Sequence, residues 1–150
     1  MERKRKVIPP VYLLLALAAM VALHFTLPVA RLIPAPYSHA GWLLVLAGLA
    51  IAMIASNAFR RAGTPVVPFE RSTVLVTDGL FRYTRNPMYL GLVVLLLGIA
   101  IALGSLSAFL PIPVFVWIIQ KWFIEGEERF LTEIFGEQYL AYQRRVRRWI

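Results

Sequence analysis

The sequence predicts an all-α integral membrane protein with four transmembrane helices, a tight hairpin of helices 3 and 4, and a cytoplasmic amphipathic C-terminal helix. Three observations carry this expectation. Hydrophobic residues form 59% of the 150-residue chain, against roughly 45–50% in soluble domains. Four apolar runs, at 7–27, 40–59, 88–104 and 106–124, approach the roughly 20 residues needed to cross a bilayer. The basic residues fall in blocks between these runs.

The first run follows Arg3, Lys4, Arg5 and Lys6. It reads as a retained helix, since no small-residue cleavage site follows it and three more apolar runs do. The third run is short and meets the fourth through Gly104-Ser105, which predicts the hairpin. Pro111 and Pro113 are expected to bend the fourth helix. Between the second and third runs, Gly63, Pro65, Pro68 and Gly79 predict an ordered loop with little regular structure. After the fourth, Phe130, Leu131, Ile134, Phe135, Tyr139, Tyr142 and Val146 recur at helical spacing. They predict an amphipathic helix interrupted near Gly136. No polar linker divides residues 1–150, so one domain is expected.

Of the 16 basic residues, only Arg31 falls between the first and second runs. This asymmetry predicts that both termini and the loop before helix 3 are cytoplasmic, in a cell inner membrane. The net charge of +8 then faces anionic lipid headgroups; no nucleic-acid motif accompanies it. With no cysteine, disulfides, thiolate metal sites and thiol nucleophiles are excluded. His24 and His39 are too few for a metal cluster, so no metal is expected. His24 reads as a packing residue, and Gly91, Gly98 and Gly104 as sites of close helix contact.

Two places could carry chemistry. Asn86-Pro87 has the form of a helix start, with an N-cap residue before proline. A helix N-terminus presents free N–H groups to an anion, and Arg82 and Arg85 stand nearby. The second place is Glu127-Glu128. The neighbours of Glu127 three and four positions away are Phe123, Ile124, Phe130 and Leu131, so near the bilayer boundary it needs compensation from elsewhere. Glu128 also lacks a local cation, and for it a solvated helix rim is the plain alternative.

The stretch Gly79-Leu80-Phe81-Arg82-Tyr83-Thr84-Arg85-Asn86-Pro87-Met88-Tyr89-Leu90-Gly91 resembles the signature of the isoprenylcysteine carboxyl methyltransferase and phospholipid methyltransferase superfamily. So do Glu127-Glu128, Leu131, Phe135-Gly136, Tyr139, Tyr142 and Arg145-Val146-Arg147-Arg148-Trp149-Ile150. The resemblance implies S-adenosylmethionine as methyl donor, with cofactor motifs within 75–91 and 125–150. It implies a lipid-like or membrane-associated substrate whose carboxylate, amine or thiol is methylated. Tyr83, Arg85, Asn86, Pro87 and Tyr89, with Glu127 and Glu128, would then belong to the cofactor side. Arg82 and Lys121 are the cations expected near the substrate. Glu127 or Glu128 would serve as base for a protonated amine. Asn86 stands where the eukaryotic prenylcysteine enzymes have histidine, and Phe123 where they have arginine, so the acceptor is not fixed.

Two other readings remain open. One is a membrane reductase of similar architecture using a nicotinamide cofactor. The other is a four-helix transporter or lipid-binding scaffold, against which stands the lack of any charged residue deep within the four runs.

Overall fold

The computed structural model describes residues 8–66 and 72–150. The cations at positions 3–6 and 71, which entered the charge asymmetry, lie outside the described residues. The elements are α1 (Pro9–Thr26), α2 (Gly41–Arg61), α3 (Pro87–Leu103), α4 (Pro111–Ile119), α5 (Glu125–Phe135) and α6 (Glu137–Arg145). A π-turn, Gln120–Ile124, joins α4 to α5 without a break. Among the described residues there is no strand, only one isolated bridge between Arg31 and Ser105.

Among the described residues, three helical stretches are long and apolar enough to cross a membrane: Pro9–Thr26, Tyr37–Arg61 and Leu106–Phe135. The third predicted helix, α3, has 17 residues. At about 1.5 Å per residue it is about 26 Å long, slightly short of the roughly 30 Å hydrocarbon layer.

Prolines start helices here rather than bend them. Pro9, Pro87 and Pro111 each open a helix, where the missing N–H has no intrahelical partner to lose. Pro113 is the third residue of α4 and falls under the same exemption, which corrects the expected bend at Pro111 and Pro113. The irregularity lies further on, in the π-turn. Gly136, at φ 51° and ψ −127°, separates α5 from α6 as the sequence predicts, in a region of backbone space open essentially to glycine.

The closest helix pair is α2 with α3, because small residues face each other. Gly41, Gly48 and Ala55 are the buried positions of α2, seven residues apart; Gly41 meets Gly98 and Gly48 meets Gly91 of α3. A Cβ on Gly48 would lie 2.5 Å from the Gly91 carbonyl oxygen, and one on Gly91 2.6 Å from the Gly48 carbonyl oxygen. This alters the expected hairpin. The turn from α3 to α4 is short, with Gly104 left-handed at φ 76°, but α3 packs most closely on α2, while α4 also rests on α1. Bulky Phe115 and Ile119 of α4 fill the core with Met20, Leu96 and Ile124, so no backbone approach of the glycine kind occurs there.

The two ends of the bundle differ. At one end the α1–α2 loop is tied to the α3–α4 turn: Leu32 N–H donates to the Gly104 carbonyl at 2.8 Å, and Leu106 N–H to the Ala30 carbonyl at 2.8 Å. His24 Nδ1 lies 2.8 Å from Ser105 Oγ, a polar tie between α1 and the turn after α3. At the other end, Phe81, Tyr139, Tyr142 and Val146 form a second core beneath Ala55. The Tyr142 hydroxyl donates to the Phe81 carbonyl at 2.7 Å.

Replacing Gly91 by valine should force α2 and α3 apart, at a cost of about 1–3 kcal/mol. Leu46→Ala, on the exposed face of α2, should stay within about 0.5 kcal/mol of the parent. Unfolding of both variants in the same detergent checks this, and a Gly91→Val protein as stable as the parent would show that the glycine contact is dispensable.

Candidate active site

At the second end, the turn before α3, the first turn of α3, α5 and the tail after α6 converge. Asn86 and Pro87 start α3 as expected, but the Asn86 side chain makes no cap bond. Its amide donates instead to the Arg148 carbonyl at 2.9 Å. The Thr84 hydroxyl donates to the same carbonyl at 3.2 Å, and the Arg85 backbone N–H to the Arg147 carbonyl at 2.9 Å. The C-terminal tail therefore lies along residues 84–86.

Glu127 and Glu128 meet different partners because successive residues of a helix are about 100° apart. The Tyr89 hydroxyl donates to Glu127 Oε1 at 2.8 Å. Glu128 receives two arginines. Arg85 donates to it from Nε at 3.3 Å and Nη2 at 2.7 Å, and Arg148 from Nε at 3.1 Å and Nη2 at 2.7 Å. The solvated rim considered for Glu128 is corrected: the residue is 9% exposed. Its cations come from 43 residues before it and 20 after it, out of reach of any helical spacing.

Arg85 is equally committed. Its Nη1 donates to the carbonyls of Val146 at 2.7 Å and Gln143 at 3.3 Å, so the guanidinium joins α5 to the tail. The hydrogen bonds to Glu128 also raise the Arg148 guanidinium above its ordinary pKa. Beside the network, burial pushes the Tyr139 phenol up to about 12, so it stays neutral. Among the described residues, no buried side-chain nitrogen or oxygen lacks a partner.

A cavity of about 360 Å³ opens beside these groups. Phe59, Phe81, Phe130 and Leu131 supply apolar wall, and Phe59 and Phe81 meet edge to face at 5.2 Å. Ala52 and Leu92 line it within about a turn of the Gly48–Gly91 contact. The structure brings Arg85, Asn86, Pro87, Tyr89 and Glu127 to its lining. Glu128 stands outside the lining, bonded to Arg85. Tyr83 is 78% exposed. Arg82 pairs with exposed Asp78 at 3.3 Å, and Lys121 with Glu125 at 2.8 Å; neither lines the cavity.

Sequence reasoning singled out no role for Thr84, Arg148, Phe59 or Phe81 at this end. Arg148 lay inside the C-terminal motif, and the missing local cation of Glu128 was the signal that could have led to it. The aromatic wall had none, because Phe59 and Phe81 are far apart in the chain and each reads as ordinary packing.

Glu128→Ala leaves Arg85 buried without its carboxylate and should cost about 3–5 kcal/mol of stability. Arg148→Ala should cost less, since that side chain is 34% exposed and its loss leaves the Arg85–Glu128 pair in place. Unfolding midpoints of the two variants in detergent test the order; a larger loss in Arg148→Ala would reverse the assignment.

Residues 37–138 match the family described as "Phospholipid methyltransferase". The chain is also similar to the "Protein-S-isoprenylcysteine O-methyltransferase" of Schizosaccharomyces pombe, with 34% identity over 77 residues, 51% of this chain and 33% of the relative. With the "Protein-S-isoprenylcysteine O-methyltransferase A" of Arabidopsis thaliana it shares 31% over 111 residues, 73% of this chain and 56% of the relative. An "Uncharacterized protein" of Haemophilus influenzae is 38% identical over 63 residues, 42% of this chain and 100% of the relative. The chain spans a third of the first of these methyltransferases and just over half of the second. The family match extends over two-thirds of the sequence, from the turn before α2 to the first residues of α6, and the chain belongs to the phospholipid methyltransferase family.

Proposed function

We propose that this protein is an integral-membrane methyltransferase that binds S-adenosylmethionine in the cavity beside Glu127 and methylates a lipid-like or membrane-associated acceptor. The observation that carries this reading is the 2.8 Å hydrogen bond joining Tyr89 of the first motif to Glu127 of the second at the edge of that cavity. The family and the names of its relatives agree with it.

The residues present fit the donor. A volume of about 360 Å³ lies within the roughly 300–1,000 Å³ of small-molecule sites. Glu127 suits a cationic group, and the Phe59–Phe81 wall suits a purine ring. When bound, the donor supplies an electrophilic methyl on a sulfonium that carries its own leaving group. The chain's part is to orient the pair and keep water out, for which its apolar walls serve. Tyr89 fixes the Glu127 carboxylate. Glu127 can take the proton of an amine or thiol acceptor, whereas a carboxylate acceptor needs no base.

On this reading Arg85, Asn86 and Glu128 build the pocket rather than meet the donor, because the Arg85 guanidinium, the Asn86 side-chain N–H and the Glu128 carboxylate are bonded to the tail and to one another. Arg85, which the resemblance assigns to the cofactor side, is on this reading part of the framework around the donor. We further propose four crossings, with α3 covered by α2, and both termini on the cytoplasmic side of an inner membrane. The charge asymmetry supports this orientation.

Three outcomes are expected. In calorimetry, Glu127→Gln should weaken donor binding by about ten- to a hundredfold, the loss of a charge-assisted contact of roughly 1.5–3 kcal/mol, while Arg31→Ala binds like the parent. Donor binding without nicotinamide binding separates this enzyme from a reductase, and no donor binding by the parent would remove the reading. Because the chain has no native cysteine, a single Ser72→Cys thiol reports topology, and its labelling from outside intact cells would invert the orientation. For the acceptor, removing four tail carbons should raise KM by about a hundredfold, at about 0.8 kcal/mol per methylene. A flat KM across a chain-length series at fixed head group would mean that the tail is not recognised.

A further inference from the structure

The tail after α6 touches both sides of the π-turn. Trp149 Nε1 donates to Gln120 Oε1 at 2.9 Å, at the first residue of that turn. Arg148 holds Glu128 through Nε at 3.1 Å and Nη2 at 2.7 Å, four residues past the end of the turn. The tail itself is fastened at Thr84, Arg85 and Asn86 by the bonds to the carbonyls of Val146, Arg147 and Arg148. Two consecutive side chains thus bridge the segment from 120 to 128 against a fixed support.

A π-turn carries one residue more than the α-helical turn it replaces, and such turns cluster at functional sites. Relaxing it to α-helix would rotate α5 by about 100° and shift it by about 1.5 Å. Glu127 would then leave the Tyr89 hydroxyl, and Glu128 would leave the two arginines. On its polar side the turn has little to oppose that change, since Lys121 pairs with Glu125 at an ordinary i,i+4 spacing. On its apolar side Phe123 and Ile124 are buried in the core and Tyr12 meets Trp122 and Phe123 edge to face, so the tail acts together with that packing.

We infer that the C-terminal tail is a splint across the π-turn, and that Arg148 and Trp149 are positioning residues for Glu127. They hold α5 in the one rotation that turns the Glu127 carboxylate to the cavity. In the relaxed turn, Glu127 faces another side. The inference rests on the reading of Glu127 as the donor-side carboxylate, but the rotation of α5 can be measured without any ligand.

The experiment has two arms. In the first, spin labels on Arg60→Cys and Glu133→Cys, both exposed positions in a cysteine-free chain, report the distance from α2 to α5. A narrow distribution is expected in the otherwise parent chain and in Arg148→Lys, with a shifted or broadened one in Arg148→Ala and, to a lesser extent, Trp149→Phe. In the second arm, calorimetry with S-adenosylmethionine should show about tenfold weaker binding for Arg148→Ala. Combined with Glu127→Gln, the same substitution should add nearly nothing, because it acts through that carboxylate. An unchanged distance distribution in both tail variants, or fully additive losses in the double variant, overturns the inference. Should Arg148→Ala fail to fold, Trp149→Phe carries both comparisons, since it removes the N–H donor and keeps an aromatic ring, smaller than the indole, at that place. Absence of donor binding in the parent would count against the proposed function alone, with the distance arm still deciding the splint.

Discussion

Two guanidinium groups close on one carboxylate. Arg85, before α3, and Arg148, in the tail, both donate to Glu128 of α5, and the polar end of the protein is organised around that contact. A buried carboxylate with one cation would keep unsatisfied lone pairs; with two it is enclosed, and each arginine is then free to hold something else. Arg85 holds the tail carbonyls, and the Arg148 carbonyl takes the bonds of Thr84 and Asn86. The pair adds little net stability compared with an apolar packing of the same shape. Its value lies in geometry, since it ties three distant segments into one arrangement.

The apolar part of the bundle has a complementary logic. Between transmembrane helices the hydrophobic effect gives little attraction, so contact depends on how closely backbones approach. The Gly48–Gly91 contact draws α2 and α3 together. Beyond it, toward Phe59 and Phe81, both helices line the cavity, α2 with Ala52 and Phe59 and α3 with Met88, Tyr89 and Leu92. The same helix pair therefore makes the glycine contact and supplies part of the cavity wall.

Adjacent acids take opposite parts in this scheme. Glu128 is consumed by the framework, whereas Glu127, with Tyr89 as its bonded partner, faces the cavity. Local sequence treats them alike, since each is an acid with no cation at helical spacing. Their roles separate only through the rotation of α5, which the π-turn sets.

Much was legible in the sequence, and the reason is periodicity and covalent neighbourhood. Apolar run length gave the helices, Asn86-Pro87 the start of α3, and Gly104 and Gly136 two of the stops, because these depend on residues a few positions apart; Pro111 read as a bend and is a start. Asn86-Pro87, Gly104 and Gly136 act where the chain places them. The motif residues Arg85, Asn86, Tyr89, Glu127 and Glu128 likewise collect at one end of the bundle. Only the tertiary structure decided which of them are used up by each other. Arg148 reaches Glu128 across a fold, the π-turn follows from no local pattern, and Arg82 and Lys121 are left on the surface by the rotation of their own segments. A hydrogen bond between side chains tens of residues apart depends on three-dimensional distance, and no spacing rule along the chain contains that distance.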